Sequence, residues 1–189
     1  MDYKHLFKRT ALLISSPGKA WEEIEAEADK QNVMSEFVYP MIGLCGLSVF
    51  IGALFGNAEG TFAFQRAMTL CCAKFVSLFG GYFLAAYLTN LLGKKMLERD
   101  DERELNQQFI GYSMVVIFGL DIFSGLFSLS ILRWILQFYT VFVVYEGARD
   151  LMKVEAKNLT HYSLLVTLLI IVCPTIISIV FEKMSLILN

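Results

Sequence analysis

The stretch Phe109–Gly125, "FIGYSMVVIFGLDIFSG", contains a single ionised side chain, Asp121, in an otherwise apolar run of helix length. A charge at the centre of a bilayer costs ~2.5–3.5 kcal/mol even on the translocon-insertion scale, so such a residue faces a protein interior or a partner. Whether the run is a membrane span is settled by the rest of the chain. The 189 residues are 56% hydrophobic, with 16 Phe, 8 Tyr and a mean hydropathy of +0.57. A soluble domain of that length needs far more polar surface, so the class is membrane protein. The net charge of −2 conceals segregated charges, and no basic tail or arginine-rich run points to nucleic acid.

A helix needs ~20 apolar residues to cross the hydrocarbon core. Five segments qualify, at about 37–56, 65–92, 108–129, 131–148 and 161–181. They predict an all-α, polytopic bundle of five transmembrane helices (residues 36–189), preceded by a short amphipathic N-terminal region (residues 1–35). "SLS" at Ser128–Ser130 makes a tight hairpin of spans three and four, and "NAEGTFA" at 57–63 a short turn. The N-terminus does not read as a cleavable signal, because its apolar run, Ala11–Ile14, is shorter than an h-region. Twelve lysines and arginines fall in the N-terminal segment and in the 93–107 and 149–160 loops, against three (Arg66, Arg133, Lys183) on the other side. The expectation is a multi-pass protein of the cell's inner membrane, N-terminus cytoplasmic and C-terminus outside.

Two short helices are expected before the spans. Tyr3, Leu6, Phe7, Ala11 and Ile14 follow an i, i+3, i+4 rhythm with Lys4, Lys8 and Arg9 elsewhere on the wheel, as in a helix lying on a lipid surface. "SSPGKAWEEIEAE" places Ser16 as a cap, Pro17 at the first helical position, and Trp21, Ile24 and Ala28 on one face opposite an acidic one.

Association in lipid depends on close packing and polar groups, because lipid tails are as apolar as leucine. Span two carries a small-residue ladder, Ala73, Ser77, Gly81, Ala85 and Thr89, and span one a shorter one, Ser48, Gly52 and Gly56. These faces are expected to pack spans one and two together. Lys74 lies about nine residues from the outer end of span two, ~13 Å, and Asp121 about eight from the outer end of span three, ~12 Å. Opposite charges at one level predict a Lys74–Asp121 ion pair, either fixing the rotation of two helices or forming a titratable, solute-contacting centre. Arg133 and Glu146 sit at the ends of span four, where they can snorkel. Tyr39, Trp134 and Tyr162 fall at predicted interfaces, and Pro174 is expected to kink span five. Cys45, Cys71, Cys72 and Cys173 all lie in apolar segments with no ligand spacing, so the sequence calls for no metal or other cofactor. No nucleophile–base pair, carboxylate pair or phosphate-binding loop can be assembled, which points away from an enzyme.

"LLISSPGKAWEEI" (Leu12–Ile24), "FIGYSM" (Phe109–Met114) and "VVYEGARDLM" (Val143–Met152) resemble the Yip1-domain membrane proteins. The matching positions are Pro17, Trp21 and Ile24 ahead of the spans, Gly111 and Tyr112 opening the third, and Tyr145 and Gly147 after the fourth. Gly111 would permit close helix approach, Tyr112 would anchor at an interface, and Gly147 would end a helix. The resemblance, to a compact bacterial-type member, implies a non-enzymatic integral membrane protein acting through protein partners or bilayer organisation. Its expected partners are the lipid bilayer and a membrane protein or a second copy of itself. The competing expectation is a small ion or solute transporter or channel using the Lys74/Asp121 level.

Overall fold

The computed structural model describes residues 3–27, 32–56, 63–98, 102–126 and 135–188. The expected turn after span one and the "SLS" hairpin fall on or almost wholly within stretches outside these residues, as do Arg133 and Trp134. The architecture is all-α. Helices α1 (Tyr3–Ser15) and α2 (Pro17–Glu27) come first. A π-helical turn, Met34–Val38, runs directly into α3 (Tyr39–Gly56). Next come α4 (Ala63–Met96), α5 (Arg103–Ser113) and α6 (Val115–Leu126), then α7 (Tyr139–Asp150) and α8 (Ala156–Leu188). Among the described residues, four helices are long and apolar enough to cross a membrane, Met34–Gly56, Phe64–Met96, Arg103–Leu126 and Ala156–Met184. The expected fourth span, 131–148, is helical at 135–137 and, after a turn at Phe138, through α7, so the architecture agrees with a five-span bundle.

Local chemistry sets the boundaries. Pro17 occupies the first position of α2, where its missing N–H costs nothing. Lys94 and Lys95 close α4, opposing the negative end of the helix dipole. Helix α7 runs past Gly147 to Asp150, so that glycine does not end it. Beyond its end Lys153 takes a left-handed conformation (φ 47°), and Val154 N–H donates to Ala148 O, six residues back, at 3.0 Å, which satisfies a carbonyl near the end of the helix.

The two small-residue faces find different partners from the one expected. On α3, Cys45 Sγ approaches Phe118 O (3.4 Å) and Ser48 Oγ approaches Asp121 O (3.5 Å), the same separation of 73 residues in both cases. Gly52 meets Gly125 in that register, and a Cβ on Gly52 would overlap Gly125 O. Helix α3 is therefore parallel to α6, and the Ser48–Gly52 face belongs to span three. A Cβ on Gly56 would meet nothing within 4 Å among the described residues. The Ala73–Ala85 ladder of α4 receives α8: Ser77 Oγ donates to Pro174 O at 2.7 Å, and a Cβ on Gly81 would come within 2.5 Å of the proline ring. Proline fixes its own ring above the helix surface, and only a groove without side chains admits it. Helices α3 and α4 do pack together, but through size contrast, with Gly46 under the Phe75 ring.

Filling either backbone crossing should destabilise the bundle. Gly52→Leu and Gly81→Leu are each expected to cost at least the ~1–3 kcal/mol of an overpacked core, read as a lowered apparent Tm in detergent, whereas Gly56→Leu should leave it unchanged.

Candidate functional site

Among the described residues, the ion pair and the motif cluster bring the sequence-predicted residues together. Lys74 Nζ lies 3.2 Å from Asp121 Oδ2, linking α4 to α6 across the face of α3. Asp121 is buried, while the Lys74 side chain keeps 23% of its surface. Ser48 Oγ and Ser124 Oγ approach the Asp121 carbonyl at 3.5 and 3.4 Å, which ties the residue's backbone to the tight α3–α6 crossing one turn away. A partly exposed lysine reaching a covered carboxylate can stabilise a charge within the bundle or exchange it with a solute.

The motif cluster is built around Trp21. Its ring is fully buried, 5.8 Å from Phe109 and edge-on to Tyr112 at 6.1 Å, and Nε1–H donates to Val143 O at 2.9 Å. Gly147 lies beneath the indole, where a Cβ would come within 2.5 Å of it. Gly111 does the same for the π-helical turn, where a Cβ would meet the Val33 and Val38 methyls at 2.9 Å. Phe37 packs against Tyr112 at 4.8 Å with the rings tilted by 53°, and Phe109 lies nearly parallel to Tyr162, 6.4 Å away. Pro17 and Ile24 are buried on the same side of α2, and Tyr145 is partly buried against the core. The three motif stretches, separated by most of the chain, thus meet at one indole. Tyr112 and Tyr162 are interior residues of this cluster, not interface anchors, and Tyr39 remains 42% exposed.

Charges rivet α2 in place. Glu146 is buried to 9% exposure, paired with Arg149, and its Oε2 lies 3.2 Å from where a Gly18 Cβ would be. It does not snorkel, because the first turn of α2 lies over it, and a carboxylate there complements the positive end of that helix. Arg149 also reaches Asp150 at 2.7 Å, and this hydrogen bond raises the guanidinium above its usual range. Lys153 pairs with Glu25 at 2.7 Å. Arg9, which the sequence groups with Lys4 and Lys8 on the basic side of α1, is instead 4% exposed and joins α1 to α2 through Glu27 (2.6 Å) and Glu23 (3.8 Å). Its place beside Leu6 and Leu13 on the wheel was the available signal.

Fold and sites together define a polytopic membrane protein whose N-terminal helices are part of its core. The chain belongs to the Yip1 domain family, whose model matches residues 11–177, nearly its whole length. No curated protein and no solved structure matches it.

Losing one member of a buried pair strands the other charge, at ~3–5 kcal/mol. Lys74→Ala and Asp121→Ala should each lower stability by that order, and the double variant by less than their sum. Strictly additive losses in a detergent unfolding series would separate the two side chains energetically.

Proposed function

We propose that this Yip1-domain protein is a non-enzymatic membrane protein that acts through protein partners or bilayer organisation. Its N-terminus lies on the cytoplasmic side of the inner membrane and its C-terminus outside. The observation that carries the reading is the docking of α2. The apolar face of its described residues, Pro17, Ala20, Trp21 and Ile24, is used up inside the bundle, while Glu22, Glu23 and Glu25 remain on the surface. A helix held this firmly presents a fixed acidic surface where an untethered segment would present a mobile one, and less ordering entropy is then lost when a basic partner binds. The segregation of lysine and arginine to the same end supports the orientation.

Deleting the N-terminal segment would remove Trp21 from the core, so a surface reversal is the cleaner test. Glu22→Arg should leave the apparent Tm unchanged and reduce recovery of co-purifying membrane proteins at least tenfold, about 1.4 kcal/mol of binding. Equal recovery by both proteins would argue against a partner at this face. Trp21→Ala, in contrast, should cost ~3–5 kcal/mol of stability.

The 3.2 Å contact between Lys74 and Asp121 favours a second reading, a small ion or solute transporter. That reading expects pH- or ion-dependent flux in proteoliposomes that Asp121→Asn abolishes. Proteoliposomes no leakier than empty vesicles would remove it.

A further inference from the structure

Helix α1 does not have the single apolar face that its spacing suggests. Leu6, Arg9 and Leu13 turn inward, whereas Tyr3, Phe7 and Ile14 are 61%, 58% and 41% exposed, with Ala11 exposed between them. The exposed Lys4 and Lys8 border this outward stripe on the wheel. Arg9 binding both Glu23 and Glu27 makes α1 and α2 an antiparallel hairpin with its tip at Ile14–Pro17.

The level of that tip can be read from its neighbours. Along the bundle surface, exposed side chains change from polar to apolar between Arg149 and Phe142 on α7, between His161 and Leu164 on α8, and between Lys94 and Leu91 on α4. The Trp21 cluster sits at this changeover, since it touches Val143 and, through Phe109, Tyr162. The tip goes further. Tyr139 O–H donates to Ile14 O at 2.7 Å, and Ile14 Cδ1 lies 3.9 Å from the Cβ position of Gly119. Higher on α1, Thr10 Oγ1 lies 3.9 Å from Met41 Sδ, two residues to the apolar side of exposed Tyr39. Tyr139 lies about six residues past Tyr145, ~9 Å at 1.5 Å per residue.

We propose that the α1–α2 hairpin is a wedge set into one leaflet of the bilayer, with Phe7, Ala11 and Ile14 against phospholipid acyl chains and Lys4 and Lys8 at the phosphates. A free amphipathic helix lies in the plane of the interface and leaves it reversibly, with its apolar face ~5–10 Å deep. Here a similar depth is reached by a hairpin closed on itself by Arg9 and bolted to the spans through Tyr139 and Trp21, so insertion is permanent and its angle fixed. The inference deepens the bilayer-organising part of the reading above and rests on it for its purpose, while the acidic face of α2 stays outside the lipid.

The test uses the full chain in phosphatidylcholine–phosphatidylglycerol vesicles, with and without lipids brominated on the upper acyl chain. Single tryptophans are added at Ile14 or Phe7 on the outward stripe and at Lys19 on the water-facing side of α2. Quenching beyond that of the parent protein should be at least twofold greater for Ile14→Trp and Phe7→Trp than for Lys19→Trp. Equal quenching at all three positions would overturn the wedge, as would stripe positions shielded from lipid by a second protein. Phe7 projects outward, so Phe7→Trp decides the matter even if Ile14→Trp fails to fold. Strong quenching together with unchanged partner recovery in Glu22→Arg would leave the wedge standing and remove the partner reading alone.

Discussion

Much of this molecule hangs on an indole placed where three distant parts of the chain meet. Trp21 enters between α5 and α7 because Gly147 leaves room for its ring and Val143 offers a carbonyl to its N–H. A buried indole N–H without an acceptor would cost ~1–3 kcal/mol, so the position demands ring space and hydrogen bond together. Once it is seated, the other contacts become possible: Glu146 under the first turn of α2, Lys153 on Glu25, and Arg9 drawing α1 against α2. What reads in sequence as an amphipathic region ahead of the spans is thereby part of the same core as the spans.

The spans obey a different constraint. With no hydrophobic force between helices in lipid, close approach must supply the attraction. The bundle meets this twice with bare backbone, at Gly52 on Gly125 and at Gly81 on Pro174, and once with a ring over Gly46. The ion pair between Lys74 and Asp121 lies beside the first of these crossings. Its geometry depends on the parallel register of α3 and α6, since a slip along that register would carry Asp121 away from both Ser48 and Lys74.

Which helices exist, and which residues are small, apolar or charged within them, could be read from the chain directly, because length, periodicity and cost of burial are local properties. The level shared by Lys74 and Asp121 was likewise a matter of counting residues at 1.5 Å each. The Yip1 motif positions were visible too, though as three unrelated stretches.

The pairing of faces was decided only by tertiary structure. A small-residue groove states that something packs closely and not what: the ladder of α4 accepts α8 because Pro174 fits it, and Ser48–Gly52 accepts α6 because Gly125 faces it. Burial was decided there as well. Glu146, Tyr112 and Tyr162 look like interface residues by position, yet they become interior once α2 and the π-helical turn close over that end of the bundle. The division of α1 into an inward face around Arg9 and an outward face around Phe7 follows the same rule: periodicity names the faces of a helix, and only its neighbours determine which of them meets lipid.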